Sequence, residues 1–128
     1  MKKFVSSRLA SFGYAFRGLW YVLRTQQNAW IHAVATVMVI VLGLLLTLPL
    51  RDWAVLALTV AMVWMAEILN TSIEAVVDLA SPMRHPLAEV GKDVGAAAVL
   101  IAAIVAVLVG LLILGPPLWE RIAILLSL

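Results

Sequence analysis

Residues 53–80 read WAVLALTVAMVWMAEILNTSIEAVVDLA, and this stretch decides what kind of protein the chain is. Its first half, up to Ala66, is almost purely apolar, whereas its second half carries Glu67, Asn70, Glu74 and Asp78. The spacings of three, four and four residues place these four groups, with Thr71, on one narrow face of an α-helix turning about 100° per residue. A helix apolar all round at one end and acidic on a single stripe at the other suits a membrane span whose polar end faces a bundle interior or a functional cavity, because carboxylates facing lipid are costly. Polar glue between helices is the simpler explanation, and Asn70 alone would serve it. Three acids on one face repel one another unless a cation sits among them. A bound divalent metal is therefore expected, and oxygen-only ligands favour magnesium over zinc.

The rest of the chain fits that frame. Of its 128 residues, 65% are hydrophobic and 12% charged, too apolar for a water-solvated surface at this size. There are no cysteines, which excludes disulfides and thiolate metal sites. The net charge is +2, and no basic run is dense enough for nucleic acid, so none is expected as a partner. Ala29–Leu50 is apolar apart from His32 and two threonines and is long enough to span, with Pro49 as its stop and Arg51–Asp52 as a tight polar turn. A polar loop follows from Ser81 to Glu89, and a third span is expected over about 94–114, ending at Gly115–Pro116–Pro117. The remaining stretch, 118–128, is too short to span and is expected at the interface.

Residues 5–24 alternate apolar and polar at helical spacing, with Phe4, Leu9, Phe12, Phe16, Leu19 and Leu23 roughly on one side and Arg8 and Arg17 elsewhere. This predicts a basic amphipathic surface helix rather than a cleavable signal. The expected class is thus all-α, one membrane-embedded domain over 1–128: a surface helix at about 5–24 and spans at about 29–50, 53–80 and 94–114. Lys and Arg cluster in the N-terminal segment and in the second loop, with Arg84 and Lys92, which assigns both to the cytoplasm. Trp20, Tyr21, Trp30, Trp53 and Trp119 fall near span ends, as interfacial aromatics do. Lys92–Asp93 precede the third span close to the acidic face, where the lysine is either a snorkelling anchor or a phosphate ligand. Gly91, Gly95, Ala98, Ala102, Ala106 and Gly110 form a small-residue stripe that reads as helix packing.

Glu67-Ile-Leu-Asn-Thr-Ser-Ile-Glu-Ala-Val-Val-Asp78, followed by Gly91-Lys-Asp-Val-Gly-Ala-Ala-Ala-Val99, resembles the signature of the small prokaryotic diacylglycerol kinase and undecaprenol kinase family. The likeness extends back through Gly13-Tyr14, Arg17-Gly18 and Asn28 to His32. It implies a homotrimer of three-span protomers in the bacterial inner (plasma) membrane, with active sites between subunits, moving the γ-phosphoryl group of Mg-ATP onto a lipid hydroxyl. By position, Glu67 matches the family's general base and Glu74 its metal-binding carboxylate. Asn70 and Asp78 match supporting polar residues, Asn70 and Lys92 being counted with the catalytic set. Tyr14, Lys92 and Asp93 match nucleotide contacts, and Arg84–His85 fall in the loop bordering the nucleotide. One position departs: Gln26 stands where the family usually has a second metal-binding glutamate, and its carbonyl can still ligate magnesium, without charge. Diacylglycerol is placed ahead as the acceptor, on the Glu67–Asp78 segment and the Val-Gly-Ala-Ala-Ala-Val-Leu run. Undecaprenol is the alternative, on His32 and His85-Pro86-Leu87-Ala88. A small oligomeric transporter is the alternative from another class, although 54–66 and 94–114 offer no polar pore face.

Overall fold

A computed structural model of the chain describes the backbone of residues 2–127 and the side chains of residues 10–127. The architecture is all-α: α1 Lys2–Thr25, α2 Gln27–Leu45, α3 Leu50–Ala80 and α4 Pro86–Leu126. The last three are long and apolar enough to cross a membrane, and the molecule is a membrane protein. Phe4 and Leu9 of the expected apolar face, and Arg8 away from it, lie outside the described side chains.

The end of α2 comes sooner than the hydropathy of Ala29–Leu50 suggests. Helical structure stops at Leu45, and Thr47 takes a left-handed φ of 52°. Its N–H donates to Leu44 O at 3.2 Å while Leu48 N–H reaches Gly43 O at 3.1 Å, the paired bonds that close a helix end around one left-handed residue. Pro49 follows, keeping Leu48 out of helical geometry and occupying the N-cap of α3. The polar turn expected at Arg51–Asp52 is therefore helical: both residues lie in the first turns of α3, where Asp52 suits the positive end of the helix dipole. An apolar count cannot see this boundary, since the turn Leu46–Pro49 is itself mostly apolar.

The third span is also longer than expected. His85 caps α4 by accepting Leu87 N–H on Nδ1 at 3.2 Å, and Pro86 occupies the first turn, where its missing N–H costs nothing. Residues 86–93, read from sequence as loop and approach, thus belong to α4. At the other end the helix runs through Pro116 and Pro117 to Leu126, so 118–126 continues the third span rather than forming a separate tail. Prolines break helices mainly by freeing the carbonyl four residues back, and membrane helices tolerate this. With 41 residues, α4 is about 60 Å long, about twice the hydrocarbon thickness, so its ends extend well past the apolar layer.

The helices pack unevenly. α3 and α4 make the most extensive contact, and α2 touches both more sparingly. Leu46, Leu56 and Leu114 form a small buried cluster with Leu42, Val109 and Leu118 around it, at the end of the bundle remote from Glu67. Between α2, α3 and α4 an apolar groove of about 510 Å³ remains, lined by His32, Thr36, Leu56, Trp64, Val107 and Leu118 among others. The polar stripe of α3 begins where this groove meets His32.

Candidate active site

The stripe on α3 resolves into three clusters, each completed by a different element. The deepest holds Glu67, only 1% exposed. Across from it on α2, His32 Nε2 lies 3.8 Å from Glu67 Oε2, beyond hydrogen-bond range. Both atoms are buried without a hydrogen-bond partner. Such groups lose hydration without compensation and mark a place where something polar is expected to bind. His32 is held from behind: Thr36 Oγ1 donates to its carbonyl at 2.7 Å, Trp64 Nε1 donates to Thr36 Oγ1 at 3.1 Å, and the Trp64 ring meets the imidazole edge to face at 6.4 Å.

Two helical turns on lies Glu74, half-buried. Asn70 Nδ2 donates to its Oε1 at 2.9 Å, the i, i+4 reach that the stripe provides. Gln26 Nε2 donates to its Oε2 at 3.1 Å from 48 residues away in sequence. Gln26 has extended backbone at the elbow between α1 and α2, and that break in the helix carries its side chain onto α3. The buried Asn70 packs so closely on α4 that a Cβ at Gly95 would overlap its Oδ1. The small-residue stripe, read from sequence as helix packing, includes Gly95, where the missing side chain leaves room for the Asn70 amide.

The outermost cluster is Asp78 with Lys92 of α4, Oδ1 to Nζ 2.5 Å, on the surface of the described chain. Both line a cavity of about 270 Å³ with Ser81, Arg84, His85 and Glu89. This single pocket gathers the loop residues and the lysine expected to face a nucleotide. Tyr14 and Asp93 join none of these clusters among the described residues. Tyr14 is exposed on α1 beneath the Arg17 guanidinium, 4.6 Å from its ring centroid, and Asp93 is exposed on α4.

Among the described residues, no three of His, Cys, Asp and Glu converge as a cage for a metal ion. Glu74 and Gln26 nevertheless offer hard oxygen donors side by side, since a flip of the Gln26 amide exchanges its N–H₂ for its carbonyl. That set fits magnesium, which keeps several waters and needs only one or two protein ligands when phosphates supply the rest.

Residues 13–114 match the family described as Prokaryotic diacylglycerol kinase. The chain belongs to the prokaryotic diacylglycerol kinase family. It is 49% identical over 111 residues to a diacylglycerol kinase of Synechocystis sp., covering 86% of this chain and 63% of that protein. It is 40% identical over 108 residues to the undecaprenol kinase of Bacillus subtilis (strain 168), covering 84% and 88%. The diacylglycerol kinase of Escherichia coli (strain K12) is 38% identical over 103 residues, covering 75% and 79%. Membership makes the chain a kinase, a phosphotransferase acting on an alcohol acceptor, and the transporter reading gives way to it. The matched region contains all three clusters of the α3 stripe. What sequence reasoning left outside the site is His32, Thr36 and Trp64. His32 alone carried a signal, as a titratable residue inside an apolar run; its pairing with Glu67 depends on how α2 lies against α3.

Proposed function

We propose that this kinase transfers the γ-phosphoryl group of ATP to the hydroxyl of diacylglycerol, giving phosphatidic acid. The observation that carries the reading is Glu67: a fully buried carboxylate with an unpartnered oxygen, 3.8 Å from His32, which lines a lipid-sized apolar groove. A base so placed meets a hydroxyl arriving on a hydrocarbon tail and is screened from bulk water. Glu67 takes the hydroxyl proton as the oxygen attacks the γ-phosphorus. Glu74, positioned by Asn70, and Gln26 would hold magnesium, which when bound neutralises charge on the phosphates. Lys92, steered by Asp78, and Arg84 and His85 of the adjoining pocket bind the polyphosphate and nucleotide, and the lysine offsets charge developing during transfer. Tyr14 and Asp93 contact the nucleotide from a neighbouring subunit of a homotrimer; their outward placement supports this assignment, as does the extent of apolar surface on the single chain.

A second reading, undecaprenol as acceptor, is favoured by His32, by the His85-Pro86-Leu87-Ala88 run and by the similarity to the Bacillus subtilis undecaprenol kinase. Purified protein given labelled ATP and equal mole fractions of dioleoylglycerol and undecaprenol should label dioleoylglycerol preferentially. Preferential label in the polyprenol would select the second reading, and label in neither would overturn both. In the same assay Glu67→Gln should lose about 10²–10⁴-fold in turnover, the usual contribution of a general base, with little change in nucleotide affinity. Glu74→Gln should lose turnover and also bind Mg-ATP more weakly. Near-normal turnover of either variant at saturating magnesium and ATP would refute its role.

A further inference from the structure

We propose that His32 is a second contact to the acceptor hydroxyl, so that the substrate O–H bridges His32 Nε2 and Glu67 Oε2. This rests on the reading of Glu67 as the base. The two atoms are 3.8 Å apart, each buried and each without a partner. One oxygen about 2.8 Å from both would subtend about 85°, which a shift of a few tenths of an ångström opens toward the directions a hydroxyl uses to donate and accept. Direct closure of the pair would need movement of about 1 Å. Packing of the imidazole opposes this: the Trp64 ring meets it edge to face, and Trp64 is itself fixed to α2 by donating to Thr36 Oγ1. The gap is thus a built feature, sized for one hydroxyl.

Access agrees with geometry. His32, Thr36 and Trp64 all line the apolar groove, so a hydrocarbon tail lying there brings a terminal hydroxyl to the His32 side of this gap, with Glu67 3.8 Å beyond. The His32 Nε2–H donates to the hydroxyl oxygen, and Glu67 accepts the hydroxyl hydrogen. In the transfer step the oxygen forms a bond to the γ-phosphorus of the nucleoside triphosphate. The bond from that phosphorus to the bridging oxygen breaks, its electron pair leaving with the nucleoside diphosphate, and the hydroxyl proton passes to Glu67. His32 keeps its proton throughout. Its contribution is to orient the oxygen and to distinguish an alcohol from a tail that lacks one. A site built around a substrate hydroxyl discriminates strongly against analogues without it, because its polar groups are then left unpaired.

The test compares acceptors with and without the hydroxyl, using the purified full-length chain in detergent–lipid micelles. Dioleoylglycerol and undecaprenol are assayed in turn as substrates, and the corresponding compound lacking the hydroxyl serves as a competitive inhibitor of each. In His32→Ala the KM for the alcohol should rise about tenfold, the scale of one well-placed hydrogen bond. The inhibition constant of the deoxy compound and the KM for ATP should stay within about twofold of the parent. His32→Gln, which keeps an N–H donor, should recover most of the preference for alcohol. An equal rise for alcohol and deoxy compound would show that His32 only shapes the groove, and an unchanged alcohol KM would show no contact; either overturns the proposal. If His32→Ala does not fold, His32→Met, apolar and close in length, carries the same expectations. Glu67→Gln run in parallel separates the two readings. Near-normal turnover there would remove the base and this proposal with it, whereas an inactive Glu67→Gln beside a His32→Ala with unchanged alcohol preference would remove the His32 contact alone.

Discussion

Gln26 shows how much one side chain can reset a site. Its amide N–H donates to Glu74 without bringing charge, so the Glu74 carboxylate is partnered even without a cation. A glutamate at 26 would set two carboxylates against each other at that contact and create a demand for a cation between them. In Gln26→Glu the magnesium concentration for half-maximal activity should fall about tenfold, the scale of one charge-assisted contact, and the melting temperature should become magnesium-dependent. The maximal rate need not rise, since tighter ground-state binding does not by itself stabilise a transition state. Gln26→Leu should raise the magnesium requirement. Unchanged magnesium dependence in both variants would take Gln26 out of the proposed metal site. At this scale the α3 stripe was legible in the sequence because Glu67, Asn70, Glu74 and Asp78 belong to one helix with a known period. The resemblance pointed to Gln26 through its position. The gap between His32 and Glu67 was not legible, since it joins residues from two helices through packing that no spacing encodes.

The existence of four helices follows from hydropathy and periodicity, but their ends obey local backbone chemistry that an apolar count overlooks. His85 and Pro86 form a helix-start signal inside what reads as a polar loop, and Thr47 supplies a left-handed stop inside what reads as a continuous span. The α2–α3 turn is further fixed by Gly43, whose missing side chain lets the Trp53 indole lie against α2. A Cβ there would stand 2.7 Å from Trp53 Cη2, 2.8 Å from Cζ2 and 3.3 Å from Leu48 Cδ1. Gly43→Ala must displace the indole or part the two helices. The expected cost is about 1–3 kcal/mol, typical of overpacking, seen as a lower melting temperature in detergent. Kinase activity per folded molecule should change little, because this turn lies at the opposite end of α3 from Glu74. A melting temperature at or above that of the parent would show that the turn has slack the geometry does not reveal.

For the whole molecule, the distribution of charge, and not that of apolar surface, distinguishes the two ends. Eight hydrophobic residues are buried among the described ones, so most of the apolar side chains lie on the outside of the single chain and cannot by themselves say which end is which. The proposed orientation rests on the cations instead: Arg17 and Arg24 on α1 and Arg84 and Lys92 at the α3–α4 end, against Arg51 and Arg121 at the other. The three clusters lie at that same cation-rich end, which the proposed orientation turns toward the cytosol and its ATP. α3, with 31 residues and about 45 Å of length, is long enough to carry Leu50 and Ala80 to opposite faces. The chain has no cysteine, so single introduced thiols report without background. Ala10→Cys, Leu50→Cys and Arg84→Cys all lie at exposed positions of the described structure. In right-side-out membrane vesicles an impermeant maleimide should label only the thiol at 50; in inverted vesicles it should label those at 10 and 84. Labelling of 10 and 84 from opposite sides would require an odd number of crossings between them and break the three-span topology. Labelling of both from outside would keep the spans but turn the molecule over, placing the Asp78–Lys92 pocket where ATP is scarce and removing the nucleotide from the proposed function.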